Sequence, residues 1–379
     1  MNQTITAFFI TIAIAACNDN GTKTNTMNTS AAQTVNHVSA MPWGETDGRK
    51  VQLFTLVNQK GDSVSITSYG GTLVSWTSAD RSGVRSSILA GPSTLEQFLS
   101  RPPYFGAIIG RYGNRIGGAS FTLDGKKYTL PANDGPNTLH GGIKGFDKMV
   151  WDAAIPDSTR PSVTFSMVSA DGDQGFPGNL KVSVRYTLTD ENEIRINYEA
   201  VTDKATPVNL TNHAYFNLTG DVKNLVLDHS LTINADSYTP VSATLIPTGV
   251  IAPVEGTPFD FRAAHKIGER IEQVKGGYDH NWVLNSKGGK LVKVAELTDA
   301  ASGRKLEVMT TEPGIQFYSG NFLDGKFKTA AGSLITKHSA LCLETQHFPD
   351  SPNKPGFPNT ILQPGQTYQS ETVYRLSVQ

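Results

Sequence analysis

Leu180–Leu188 reads LKVSVRYTL, Asp190-Glu191-Asn192-Glu193 follows, and Ile194–Val201 reads IRINYEAV. Apolar and polar residues alternate with a period of two on both sides of a polar turn. That is the pattern of a half-buried antiparallel hairpin, not of a helix. The same pattern recurs outward along the chain. Val51–Val57 and Ser63–Ser68 alternate around Asn58-Gln59-Lys60-Gly61-Asp62. Ser120–Leu123 and Lys126–Leu130 flank Asp124-Gly125, a strong short-range hairpin cue. Leu291–Leu297 and Lys305–Thr310 flank Thr298–Arg304, and Thr372–Val378 closes the chain. Helical windows are few. Ser93–Ser100 (STLEQFLS) offers Ser93 or Thr94 as an N-cap with Glu96 in the first turn, and Ala263–Val274 is a weaker second window. No repeat at propeller or solenoid spacing is visible. The prediction is an all-β fold, a large antiparallel β-sandwich with few short helices and with function on its loops and one concave sheet face.

Composition agrees. The 379 residues include 33 Lys+Arg and 34 Asp+Glu, for a net charge of −1. With no basic block there is no electrostatic footprint for nucleic acid or for an anionic membrane surface. Hydrophobic residues, at 38%, suffice for a large core, and 36 Gly with 20 Pro suit many turns. Cys17 and Cys342 are the two cysteines, too few for a disulfide framework.

The first residues read as an address. Ile5–Ala16 (ITAFFITIAIAA) is too short to span the ~30 Å hydrocarbon core but suits a signal-peptide h-region. Ile14-Ala15-Ala16-Cys17 resembles the lipobox of bacterial lipoproteins, although Met1–Thr4 carries no Lys or Arg. The expected organisation is a lipoprotein-type signal peptide over 1–17 with Cys17 lipidated, a flexible polar tether over 18–40, and one domain over 41–379. The expected location is extracytoplasmic, in a bacterial periplasm or on a membrane through that anchor. Plain secretion and a chance apolar N-terminus are the alternatives.

Five segments break the alternation: Gly110–Ile116 (GRYGNRI), Asn137–Gly142 (NTLHGG), Asn209–Leu218 (NLTNHAYFNL), Gly277–Asn281 (GYDHN) and Leu343–Asp350 (LETQHFPD). Each sets His, Asp, Glu, Asn or Arg among apolar or aromatic neighbours. Buried polar groups need partners, so these stretches pair with one another or face a polar ligand. A sugar fits, because its hydroxyls suit carboxylates, amides and Arg while its C–H faces suit an aromatic surface. Trp151, Phe317 and Tyr318 are candidates for that surface.

These segments, with Asp173–Leu180 (DQGFPGNL), Ile246–Gly249 (IPTG), Gly256–Phe261 (GTPFDF), Gly314–Tyr318 (GIQFY) and Phe357-Pro358-Asn359, give the chain from about residue 45 onward a clear likeness. It resembles the aldose 1-epimerase (galactose mutarotase) family. One small departure is Gly113, where that family more often has Ala; Asn114 and Arg115 are intact. The resemblance implies a β-supersandwich and the interconversion of the α and β anomers of a free hexose, galactose or glucose. It makes Glu344 the general base on the C1 hydroxyl and His213 the general acid at the ring oxygen. Asn114, Arg115, His140, Asp279 and Gln316 become sugar-binding residues. Ring opening needs two positioned groups of opposite role, and a carboxylate with an imidazole supplies them. No cofactor and no metal are expected, since nothing is oxidised or transferred. The expected partner is the aldose alone, and the expected assembly a monomer or homodimer.

Taken singly, the same residues have plainer readings. His213 beside Tyr215 and Phe216 suits a structural histidine, Asp279 a turn, Arg115 a surface cation, His140 an incidental turn residue and Trp151 the core. Glu344 is different, because a carboxylate after Leu341-Cys342-Leu343 sits in what looks like a buried strand, where acids are rare unless paired. Cys342 reads as an inert core thiol. His213, His280 and His347 near Asp279 and Glu344 raise a metal site, but HExxH and a cysteine cluster are both missing. Other functions remain to be separated: a sugar-binding protein without turnover, a hexose-6-phosphate epimerase, and a glycoside hydrolase using Glu344 and Asp350.

Overall fold

The computed structural model describes residues 36–100, 102–157 and 160–379; Cys17, the expected signal peptide and most of the expected tether lie outside them. The described chain is built almost wholly from antiparallel pairs. The largest sheet has nine strands, in the order Asp152–Ala154, Ser162–Ser169, Leu180–Leu188, Glu193–Thr202, Thr367–Val378, Arg304–Thr310, Val292–Thr298, Ser230–Ile233 and His265–Lys266. A six-stranded sheet runs Tyr215–Phe216, Leu341–Gln346, Gly314–Tyr318, Asp279–Val283, Ser237–Thr239, Ala252–Pro253. A five-stranded meander runs from His37–Thr46 to Arg85–Ser87.

The central hairpin shows why the sandwich forms. In Leu180–Leu188 the residues Leu180, Val182, Val184, Tyr186 and Leu188 are buried and belong to the main core, while the intervening positions face outward. Glu193–Thr202 repeats the alternation and pairs with it from Leu180↔Thr202 to Leu188↔Ile194. The six-stranded sheet lies against this apolar face. Leu341 and Leu343 join the same core, Leu343 O accepts a hydrogen bond from the Tyr374 hydroxyl at 2.8 Å, and Thr345 meets Thr372.

All six residues of Leu341–Gln346 are buried, so both faces of that strand are covered. Because strand side chains alternate, Leu341, Leu343 and Thr345 serve the core and Cys342 and Glu344 point the other way. Cys342 accordingly belongs to a separate apolar cluster with Tyr215 and Tyr318. This second face carries the chemistry described below.

Two sequence expectations change. The first strand begins at His37, inside the expected tether, and pairs with Arg49–Val57 from His37↔Val57 onward. Main-chain pairing carries that edge strand, so its largely exposed side chains gave no apolar signal. Ala263–Val274 is not a helix. It holds two short 3₁₀ turns, Ile267–Glu269 and Ile271–Gln273, broken at the non-helical Arg270, with the helix-weakening Gly268 inside the first. The other window does form a helix, Leu95–Leu99, with the Thr94 side chain accepting from Gln97 N.

Candidate active site

The site begins with parity. Asn281, Gln316 and Glu344 stand side by side in register on three adjacent strands, as do Asp279, Tyr318 and Cys342. Alternation sends Ile315, Phe317 and Trp282 into the main core. It leaves Asp279, Gln316 and Glu344 on the opposite face. His280, one residue from Asp279, therefore turns away and packs against Phe259.

Two loops complete the site. Arg115–Ile116 pairs with Thr138–Leu139, which brings Asn114 beside His140. The two exchange hydrogen bonds in both directions: Asn114 N donates to His140 Nδ1 at 3.1 Å, and His140 N donates to Asn114 O at 3.0 Å. Both have positive φ, 61° and 50°, which Asn and His tolerate better than bulkier residues. His213 is held by its main chain, donating to Ala107 O and accepting from Gly106 N. Its ring stacks on Tyr215 and meets the His140 ring edge-on, with centroids 5.1 Å apart in both cases.

His213 Nε2 thereby comes to 3.7 Å from Glu344 Oε1, both residues being buried. Gln316 Nε2 donates to Asp279 Oδ1 at 2.7 Å. Arg115 lies 3.8 Å from Asp279 Oδ2 and donates to Asp134 at 2.8 Å. Glu344 Oε2, Gln316 Oε1, both amide atoms of Asn281 and both of Gln346 are buried with no protein partner among the described residues. Such atoms on one sheet face are costly unless a polar ligand or water meets them.

Burial governs the electrostatics. It raises the Glu344 carboxyl well above its usual range, with the Asp279 charge adding to the effect and Arg115 opposing it. It lowers the His213 imidazole to about 4, against the pull of its own main-chain carbonyl. His140 is also pushed well below the usual imidazole range, by burial first and by His213 next. Asp279 is raised by burial, opposed by Arg115 and the Gln316 hydrogen bond.

All seven residues expected at the site meet there, with Asn114 acting through its main chain and through Oδ1, which accepts from Arg115 N. Two of the three aromatic candidates do not. Trp151 is buried in the main core with its Nε1 donating to Phe146 O, and Phe317 is fully buried against Tyr278. Tyr318 stands on the face of the site in register with Asp279, its hydroxyl accepting from Phe322 N–H. The aromatic wall is instead Tyr104, half-buried, edge-on to His140 at 4.5 Å and tilted over His213 at 5.7 Å. Nothing in the sequence ties its segment, Pro102-Pro103-Tyr104, to His140. Tyr104 also borders a 580 Å³ cavity with Gly142, Lys148 and Phe322. A larger groove, 750 Å³, lies on the outer face of the nine-stranded sheet around Arg185, Glu199 and Glu371, away from these groups.

Cys342 is a buried core thiol, as expected, and its Sγ lies 3.5 Å from His213 Nδ1. Asp350 is drawn elsewhere: its carboxylate accepts from Gly117 N and Asn353 Nδ2 and pairs with Lys354, so it holds a loop. His347 pairs with Glu312. Among the described residues, Arg115 and Lys148 at the site already face carboxylates and offer no ready cradle for a phosphate.

Ligand-capable atoms of His140, His213 and Glu344 lie within 4.8 Å of one another. A cation on His140 Nε2 would drive the ring proton onto Nδ1, against the Asn114 N–H that Nδ1 accepts. The cluster is better suited to proton transfer than to ligation.

An imidazole facing a buried carboxylate, with unpartnered amides beside it on the face of an all-β sandwich, defines a carbohydrate-active protein working by proton transfer. Comparison with known proteins gives the family. An aldose 1-epimerase family profile matches residues 52–375. A galactose mutarotase of Rattus norvegicus is 50% identical over 317 residues, 83% of this chain and 91% of that protein. An aldose 1-epimerase of Escherichia coli is 42% identical over 337 residues, 87% of this chain and 96% of that one. The crystal structure of a GalM/aldose epimerase homologue from C. elegans superposes with a TM-score of 0.79 at 33% identity, covering 86% of this chain and 98% of that one. The chain belongs to the aldose 1-epimerase family, and its activity is that of an isomerase interconverting the anomers of a free hexose.

Proposed function

We propose that Glu344 and His213 open and reclose the sugar ring as a base and an acid that exchange roles. Glu344 takes the proton of the C1 hydroxyl. The bond between C1 and the ring oxygen breaks with its electrons moving to that oxygen, and His213 delivers a proton there. The open aldehyde turns about its C1–C2 bond and the steps reverse on the other face. The supporting observation is the opposition of His213 Nε2 and Glu344 Oε1 at 3.7 Å, with Glu344 Oε2 left without a protein partner.

The pair carries one proton through the cycle. Glu344 ionised with His213 protonated begins it, and Glu344 protonated with His213 neutral is the open-chain stage. Burial disfavours charge on both groups, so it favours that second stage. Asp279, Gln316, Arg115 and His140 hold the other hydroxyls while C1 moves, and Tyr104 offers a face to the C–H side. Holding the ring in one pose supplies much of the rate.

Galactose and glucose are the substrates this reading favours. Polarimetry of fresh α-anomers over a panel of aldoses, at low enzyme, tests it. Faster approach to the equilibrium rotation is expected. Sugar binding by calorimetry with no acceleration would instead mean a binding protein.

The apolar Ile5–Ala16 run ahead of Cys17 supports export and lipidation. In bacteria fed a labelled fatty acid, the wild-type chain should carry label in the membrane fraction and Cys17→Ala should not. Unlabelled, soluble wild-type protein would refute it.

A further inference from the structure

One strand touches both ring nitrogens of His213. Glu344 Oε1 lies 3.7 Å from Nε2, and two residues earlier Cys342 Sγ lies 3.5 Å from Nδ1. The spacing of two is what puts both side chains on the same face of Leu341–Gln346. Cys342 is also paired in register with Tyr215, whose ring stacks on His213, so the thiol is fixed behind the imidazole.

We infer that Cys342 is a positioning residue for the epimerase reaction: its sulfur accepts the Nδ1–H of His213 and keeps the ring in the tautomer whose Nε2 is free to take and return the proton. The inference rests on the proposed acid/base role of His213. A histidine that has given its Nε2 proton to the ring oxygen must next accept the C5 hydroxyl proton at that same nitrogen. It can do so only while its remaining proton stays on Nδ1. The partner of Nδ1 decides which tautomer persists. The thiol is a weak acceptor, and burial holds it neutral by raising it well above its usual range. A carboxylate in its place would stabilise the imidazolium and make it a poorer acid. A sulfur orients the ring without that penalty.

The test reads the tautomer directly. In protein labelled with ¹⁵N at its eight histidines, the His213 signals are assigned by their loss in His213→Asn. The wild type at neutral pH should show a protonated Nδ1 and an unprotonated Nε2. Cys342→Ala should show averaged nitrogens, with kcat down about tenfold and KM within about twofold. Cys342→Ser, whose oxygen can also accept, should restore the Nδ1–H signal and most of kcat. An Nε2–H tautomer in the wild type overturns the inference without any variant having to fold. So does a Cys342→Ala enzyme with unchanged kcat. Full activity in His213→Asn would instead sink the underlying acid/base assignment.

Discussion

Gln316 stands directly across from Glu344 on the neighbouring antiparallel strand and donates its amide to Asp279. A neutral side chain is thus placed between the buried Glu344 carboxyl and the partly buried Asp279, whose charge makes ionisation of Glu344 harder. The register of three strands decides where charge can sit in this site. The predictions below test that arrangement.

Glu344→Gln keeps the shape and removes the base. The rate of mutarotation should fall by about a hundred-fold to ten-thousand-fold, with sugar affinity by calorimetry changed far less. Near-normal rotation kinetics in this variant would remove Glu344 from the mechanism.

Arg115 lowers the pKa of both Glu344 and Asp279 by its charge. Deleting a cation raises the pKa of a neighbouring carboxylate. In Arg115→Ala the acid limb of the pH–rate profile should therefore move to higher pH, and KM should rise. Arg115→Lys keeps the charge but cannot reproduce the guanidinium geometry that reaches both Asp134 and Asp279, so it should rescue only part. An unmoved acid limb in the Ala variant would show that the guanidinium does not set these carboxylates.

Tyr104 touches both imidazoles with its ring. Tyr104→Phe should stay within a few-fold of wild type, while Tyr104→Ala should raise KM about tenfold through loss of the wall. Equal defects in the two variants would shift the role from ring to hydroxyl.

His229 gives a test of stability away from the site. It is fully buried, its Nε2 accepts from Leu218 N at 2.9 Å, and burial lowers it to about 4. The folded pKa lies below the unfolded value of about 6.5, so the unfolded chain binds the proton first as pH falls. The contribution is complete above about pH 6.5 and is lost progressively toward pH 4, reaching on the order of 3 kcal/mol. Urea unfolding across this range should show a shallower loss in His229→Gln than in wild type. Parallel curves would refute the assignment.

Much of this was legible in the residues. Period-two alternation marked the hairpins, because a sheet with one buried face writes its parity into the chain. Glu344 stood out because an acid in an apolar run needs a reason. What stayed hidden depended on contacts between distant segments. Tyr104 gains its place only when its segment folds over His140 and His213, and no neighbour of Cys342 in the chain shows that its sulfur lies against His213. Trp151 and Phe317 misled for a related reason: an aromatic suited to a sugar is equally suited to a core, and parity sends Phe317 inward. The strand at His37 was invisible because main-chain pairing leaves no apolar trace.

The doubly covered strand Leu341–Gln346 has a consequence for genetics. Its odd positions feed the core and Cys342 and Glu344 feed the reaction. Changes at Leu341 and Leu343 should lower the amount of protein in a cell, whereas Glu344→Gln should leave the amount and lower the activity of each molecule, and changes at Cys342, which serves both an apolar cluster and the ring of His213, should lower both. A single-codon insertion would exchange the two sets at once. The register of this short stretch is thus constrained twice over, by abundance and by turnover, on alternate letters.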